Sequence, residues 1–117
     1  MKPYERLEAW QACYQVVLAV YRATESFPKV EQYGLTAQLR RAAVSIVANI
    51  AEGSAKRGKR EFRRYLDIAL GSLAELRCLL QVARDLGYVS DEDWDVLVPL
   101  EEHGGLLLWC LYRSMGV

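Results

Sequence analysis

The stretch Arg40–Glu75, RRAAVSIVANIAEGSAKRGKREFRRYLDIALGSLAE, limits what this chain can fold into more than any other. Ala42, Ala43, Ile46, Val47 and Ile50 recur at helical spacing in its first half. Phe62, Tyr65, Leu66, Ala69, Leu73 and Leu76 do so in its second. Between them Gly53 and Gly58 punctuate a short basic run, which stops one helix and starts the next. The stretch therefore reads as a helical hairpin closed by a basic loop.

The rest of the chain extends the same pattern. Leu7, Trp10, Tyr14, Val17 and Tyr21 alternate spacings of three and four, a heptad seam on a first helix. A second stripe (Ala9, Ala12, Cys13, Val16, Ala19, Val20, Ala23) widens its apolar face. Phe27-Pro28 ends this helix, and one turn can begin at Pro28. Gly71 lies inside the third helix, where a close helix crossing would compensate its cost, and Gly87 stops that helix. Ser90 with Asp93 reads as a variant capping box opening a fourth helix. Pro99 should kink this last helix, and Gly104-Gly105 offers an alternative break. Helices are predicted at about 5–24, 34–54, 59–86 and 91–115. The expected core comprises Leu7, Trp10, Tyr14, Val17, Leu39, Ile46, Ile50, Phe62, Leu66, Ala69, Leu73, Leu76, Leu97 and Leu111. Short connections between four amphipathic segments give the fold class: all-α, an antiparallel up-down-up-down four-helix bundle, in a single domain over residues 1–117.

Composition narrows the function classes. With 52% hydrophobic residues the chain can bury a core, and 117 residues suit one domain. No apolar run is long enough to span a membrane, and no basic start precedes an apolar segment, so a cytoplasmic location without membrane association is expected. Cys13, Cys78 and Cys110 are odd in number and widely spaced, which predicts reduced core cysteines. His103 is the only histidine. A Ser-His-Asp triad, a bundle di-iron site, a cysteine zinc site and a Gly-rich phosphate loop all lack their patterns. No catalytic residue, metal or cofactor is assigned, and a non-enzymatic role is expected.

Two polar groupings remain. Arg41, Ser45, Asn49 and Glu52 share one face of the second helix, and Ser72 and Glu75 one face of the third. If the hairpin closes near Arg57, an Arg41–Glu75 ion pair is within one turn. The group reads as a buried structural polar network fixing helix register, or as a ligand or nucleic-acid contact. The second grouping is charge. Lys56, Arg57, Lys59, Arg60, Arg63 and Arg64 fall within nine residues, opposed only by Glu61. Residues 85–102 carry seven carboxylates and no Lys or Arg. An antiparallel bundle then has one basic and one acidic end, although formal net charge is zero. The basic run can be a solvated loop, a phosphate-binding patch or a contact for an acidic partner. Aromatic residues are nearly absent from the loop, and Phe62 and Tyr65 read as core, so base readout is not expected.

Several segments together resemble a known family. They are Phe27-Pro28, Tyr33-Gly34-Leu35-Thr36, Gln38-Leu39-Arg40-Arg41-Ala42, Ser45-Ile46, Asn49-Ile50-Ala51-Glu52-Gly53, and Gly71-Ser72 with Glu75. The chain resembles the bacterial four-helix bundle family called 23S ribosomal RNA intervening-sequence proteins. The matching signature positions are Arg41, Ser45, Asn49, Glu52, Gly53, Gly71, Ser72 and Glu75. The resemblance implies a four-helix bundle. It also implies kinship to accessory proteins of diversity-generating retroelements, which form five-membered rings engaging nucleic acid and a reverse transcriptase.

Three functions follow as expectations. One is an oligomeric module, a homopentamer by resemblance, binding RNA or DNA through its basic end. Another is a protein-interaction scaffold without a nucleic-acid role. The third is an enzyme built on Arg41, Asn49, Glu52 and Glu75.

Overall fold

In the computed structural model, which describes Met1–Gly116, four helices follow one another: α1 (Glu8–Thr24), α2 (Leu35–Ser54), α3 (Lys59–Asp85) and α4 (Asp91–Ser114). Contacts join α1 to α2, α2 to α3, α3 to α4, and α4 back to α1. No diagonal pair of helices brings its backbones close together among the described residues, so the four form a closed antiparallel ring around one core. The bundle is 43 Å long, close to the length of its 27-residue α3.

Each helix ends where its local chemistry dictates. α3 closes in a Schellman motif at Gly87, which adopts φ 81°. There the N–H of Tyr88 donates to Ala83 O and that of Gly87 to Arg84 O, both at 3.0 Å. α4 opens with Ser90 Oγ accepting from the Asp93 N–H at 3.0 Å. Asp91, Glu92 and Asp93 sit at the positive end of the same helix. A 3-10 turn, Lys29–Glu31, follows Pro28 in the first connection. Glu31 then ties both connections at this end together. One carboxylate oxygen accepts from the Leu35 N–H at 3.2 Å, the other from the Tyr88 hydroxyl at 3.0 Å. The hydrogen bond to Glu31 raises the ionisation of the Tyr88 phenol above its ordinary value.

Four expectations need correction. α1 starts at Glu8, not near residue 5: Pro3–Arg6 form a separate 3-10 turn and Leu7 is extended. Tyr4 packs its ring 4.9 Å from that of Trp10, and Glu5 O accepts from the Gln11 amide, so the turn folds back instead of continuing the axis. The core face of α1 is mainly the small-residue stripe: Ala9, Cys13, Val16, Ala19, Val20 and Ala23 are buried, together with Val17 of the heptad seam. Tyr14, assigned to the core, is 39% exposed and stacks on Trp10 at the surface. Of the three cysteines only Cys13 is buried; Cys78 and Cys110 are exposed.

The fourth correction concerns glycines. Gly71 is exposed, and a Cβ there would meet nothing within 4 Å, so no helix crosses closely at that point of the bundle. The close approaches lie at Gly53, Gly104 and Gly105. A Cβ on Gly53 would come 2.7 Å from Tyr65 Cβ, one on Gly104 3.2 Å from Cys13 Sγ, and one on Gly105 3.0 Å from Leu73 Cδ2. Gly104-Gly105 therefore lets α4 lie against α1 and α3 without breaking, and α4 runs unbroken through Pro99. Pro99 and Asp95 are both exposed, so water can satisfy the carbonyl that Pro99 leaves without a donor.

Candidate nucleic-acid interface

The basic run sits where α2 hands over to α3. Ala55–Gly58 form the turn, and Gly58, at φ 82°, occupies the position before the first turn of α3. No side chain caps this helix start, so the N–H groups of Lys59, Arg60 and Glu61 point outward at its positive end. Lys56, Arg57, Lys59 and Arg60 are exposed. None of these four makes an ion pair among the described residues. Arg64 is held by Glu61 at 3.4 Å.

Three of the six cations, Lys56, Arg63 and Arg64, lie against aromatic rings. Lys56 Nζ is 5.5 Å and Arg64 Cζ 4.6 Å from the centroid of Tyr65, which is half-buried. Arg63 Cζ sits 4.3 Å over the ring of Tyr112, delivered by the last turn of α4. Trp109 stacks on Tyr112 at 5.5 Å. The loop segment is poor in aromatic residues, as the sequence has it, but the folded end of the bundle is not. Sequence reasoning missed Tyr112. The up-down-up-down topology could have found it, because it returns the end of the fourth helix to the 2–3 junction.

Between the first turns of α3 and the end of α4 lies a cleft of about 720 Å3, lined by the cations Lys59, Arg60, Arg63 and Arg64, the carboxylates Glu61 and Asp67, and Tyr112, Met115 and Gly116. The Nε of Arg63 is buried and has no hydrogen-bond partner, the single such side-chain atom among the described residues.

The second polar grouping occupies the outer α2–α3 surface. Arg41 Nη2 donates to Glu75 Oε2 at 2.7 Å. Ser45 Oγ and Ser72 Oγ share a hydrogen bond of 2.8 Å. The Asn49 amide donates to both the carbonyl and the hydroxyl of Ser45, at 2.8 and 3.1 Å. The chain of bonds exists, but it is not deeply buried: the Arg41 and Glu75 side chains are 62% and 42% exposed. Glu52 is exposed, with no side-chain hydrogen bond or ion pair among the described residues, and stands outside the network.

A family model described as 23S rRNA-intervening sequence protein matches residues 5–105. The chain belongs to the 23S rRNA-intervening sequence protein family. Comparison with curated proteins gives no match. The signature positions that the sequence ties to this family, from Arg41 to Glu75, run along the α2–α3 pair. There Gly53 packs on Tyr65 and Phe62, and the serines and Asn49 pin the two helices. The basic turn and Tyr112 lie beyond that row, at the end of the bundle.

The acidic counterpart lies at the opposite end, around the α3–α4 connection, where Arg84 pairs with Asp91. His103 is exposed beside Glu8, Gln11, Gln15 and Leu107, with no serine or cysteine lining the same groove. No group of three or more His, Cys, Asp or Glu that could hold a metal occurs among the described residues. No helix among them is long and apolar enough to cross a membrane.

Proposed function

We propose that this protein is a non-enzymatic, oligomeric module of the cytoplasm that binds RNA or DNA electrostatically through Lys56, Arg57, Lys59, Arg60, Arg63 and Arg64. The observation that carries the reading is the concentration of six cations at one end of the bundle, four of them exposed and without an ion pair among the described residues. They surround an uncapped helix start whose N–H groups favour phosphate. Contacts to about three phosphates per subunit give a log-affinity slope of roughly −2 to −3 against log salt. Exposed apolar side chains on α4 and on the α2–α3 face support assembly into a multimer, and the resemblance to ring-forming retroelement accessory proteins makes a homopentamer the specific form proposed. The test is a salt titration of wild type and of a variant with Lys56, Arg57, Lys59 and Arg60 all replaced by Gln, using RNA and DNA, single- and double-stranded. Loss of binding in the variant with helicity retained supports the reading. No binding by wild type at low salt, or equal binding by the variant, rejects it.

The same exposed apolar residues favour a second reading, a protein-interaction scaffold with no nucleic-acid role. Stoichiometric capture of one protein partner, insensitive to nuclease, would support it over the first.

A further inference from the structure

We infer that the cleft between the start of α3 and the end of α4 receives one unpaired nucleotide, so that the protein prefers single-stranded to duplex nucleic acid. The inference rests on the nucleic-acid reading and deepens it. A plain phosphate patch needs only exposed cations. This cleft has in addition a wall of Arg63, Tyr112 and Met115. Its volume of about 720 Å3 lies within the range of small-ligand pockets, ample for one nucleotide. Lys59, Arg60 and the uncapped N–H groups of α3 supply the phosphate end; of the two carboxylates in the cleft, Glu61 is paired with Arg64, and Asp67 lies two turns further along α3. Tyr112, backed by Trp109, carries the Arg63 guanidinium on its ring. Guanidinium planes and aromatic rings are both surfaces on which unpaired bases stack. A base in a duplex is already stacked and paired, and cannot enter such a cleft without first being extruded.

The discriminating variant is Arg63→Lys, which keeps the charge and removes the plane. Tyr112→Leu, which removes the ring beneath it, is the second, and circular dichroism verifies that both remain helical. Affinity is measured by fluorescence anisotropy for a short mixed-sequence RNA strand and for the same strand annealed to its complement. Wild type is expected to favour the single strand. Each variant is expected to lose about tenfold in single-strand affinity, the size of one lost base stack, with a smaller loss for the duplex. Equal wild-type affinity for strand and duplex, or an unchanged ratio in both variants, overturns the cleft while leaving the electrostatic reading in place. Absence of binding to either form overturns both.

Discussion

Arg77 on α3 reaches across the bundle to hold the carboxylate of Glu101 on α4, Nη1 to Oε2, at 2.8 Å. The two ends of this bridge are unequal: the Glu101 side chain is 11% exposed and that of Arg77 38%. The carboxylate has therefore left water while its partner has not. Removing the partner leaves a buried charge without compensation, the expensive way to break an ion pair. Arg77→Ala is expected to cost about 2–3 kcal/mol, less than the 3–5 of a fully buried pair because water can still reach the vacated side. Glu101→Gln, which keeps the shape and removes the charge, should cost less. Urea denaturation of the two variants checks the order, and an equal cost would contradict it.

Two glycines give opposite signs for the same substitution. Gly53→Ala forces a Cβ into contact with Tyr65 Cβ at 2.7 Å, between helices that cannot part without losing core contacts. The expected cost is about 1–3 kcal/mol, as for other overpacked sites. Gly71→Ala places its methyl in open space on a helix interior and should stabilise the bundle by about 0.5–1 kcal/mol. Thermal melts at one protein concentration read both. If Gly71→Ala instead weakens self-association, the open space is where another copy packs.

The three thiols should separate cleanly. Cys13 is fully buried, donates to the Gly104 carbonyl at 3.7 Å, and has its ionisation pushed up from 9.0 to about 12, first by burial and then by the Glu101 charge. An aromatic disulfide reagent near neutral pH should label Cys78 rapidly and Cys13 only after unfolding, and Cys110 as fast as Cys78 only where no second copy covers α4. The same shift predicts alkaline sensitivity. Below pH 9 the Cys13 thiol is protonated whether folded or not, and its contribution is intact. Between pH 9 and 12 only the unfolded chain releases the proton, so stability falls as pH rises, by up to about 1.4 kcal/mol per unit. Comparing wild type with Cys13→Ala across that window isolates the effect; identical slopes would refute it.

The helices were legible in the sequence wherever punctuation was strong. Gly58 and Gly87 set α3 to within a residue of expectation, and Ser90 set the start of α4. The start of α1 was not legible, because Leu7 carries no capping side chain and the fold-back of Tyr4 onto Trp10 is a packing event. Periodicity likewise offered α1 two stripes and could not choose. The choice fell to the small residues because α4 approaches through Gly104, against Cys13 and Val16. Ile46 and Leu39 read as core and are fully buried. Ile46→Ala should accordingly cost about 2–5 kcal/mol. The Arg41–Glu75 pair followed from hairpin register, while the Ser45–Ser72 bond came from the same two faces without being paired in advance. The Arg77–Glu101 bridge and the Arg63–Tyr112 contact did not, since each joins residues on α3 and α4 that no local pattern links.

The last prediction concerns the surface proposed to hold copies together. Leu106 is 60% and Trp109 46% exposed, three residues apart on one side of α4, with the exposed Cys110 beside them. Residues this far exposed carry little of the monomer's core energy, so a charge placed there acts mainly on association. Leu106→Glu combined with Trp109→Glu should leave helicity nearly unchanged while converting a multimer to a smaller species, with the unfolding midpoint falling only by the association lost. Sedimentation velocity or light scattering at micromolar concentration reads the outcome. The competing face, on α2 and α3, exposes Val44 and Ile68 together with the open Gly71. Val44→Asp with Ile68→Asp is the matched comparison. A ring needs two different faces per subunit, so a closed ring predicts that either pair of substitutions breaks it. A twofold dimer, in which one patch meets itself, predicts that only one pair does. A monomeric wild type would remove both, and with them the multimer from the proposed function.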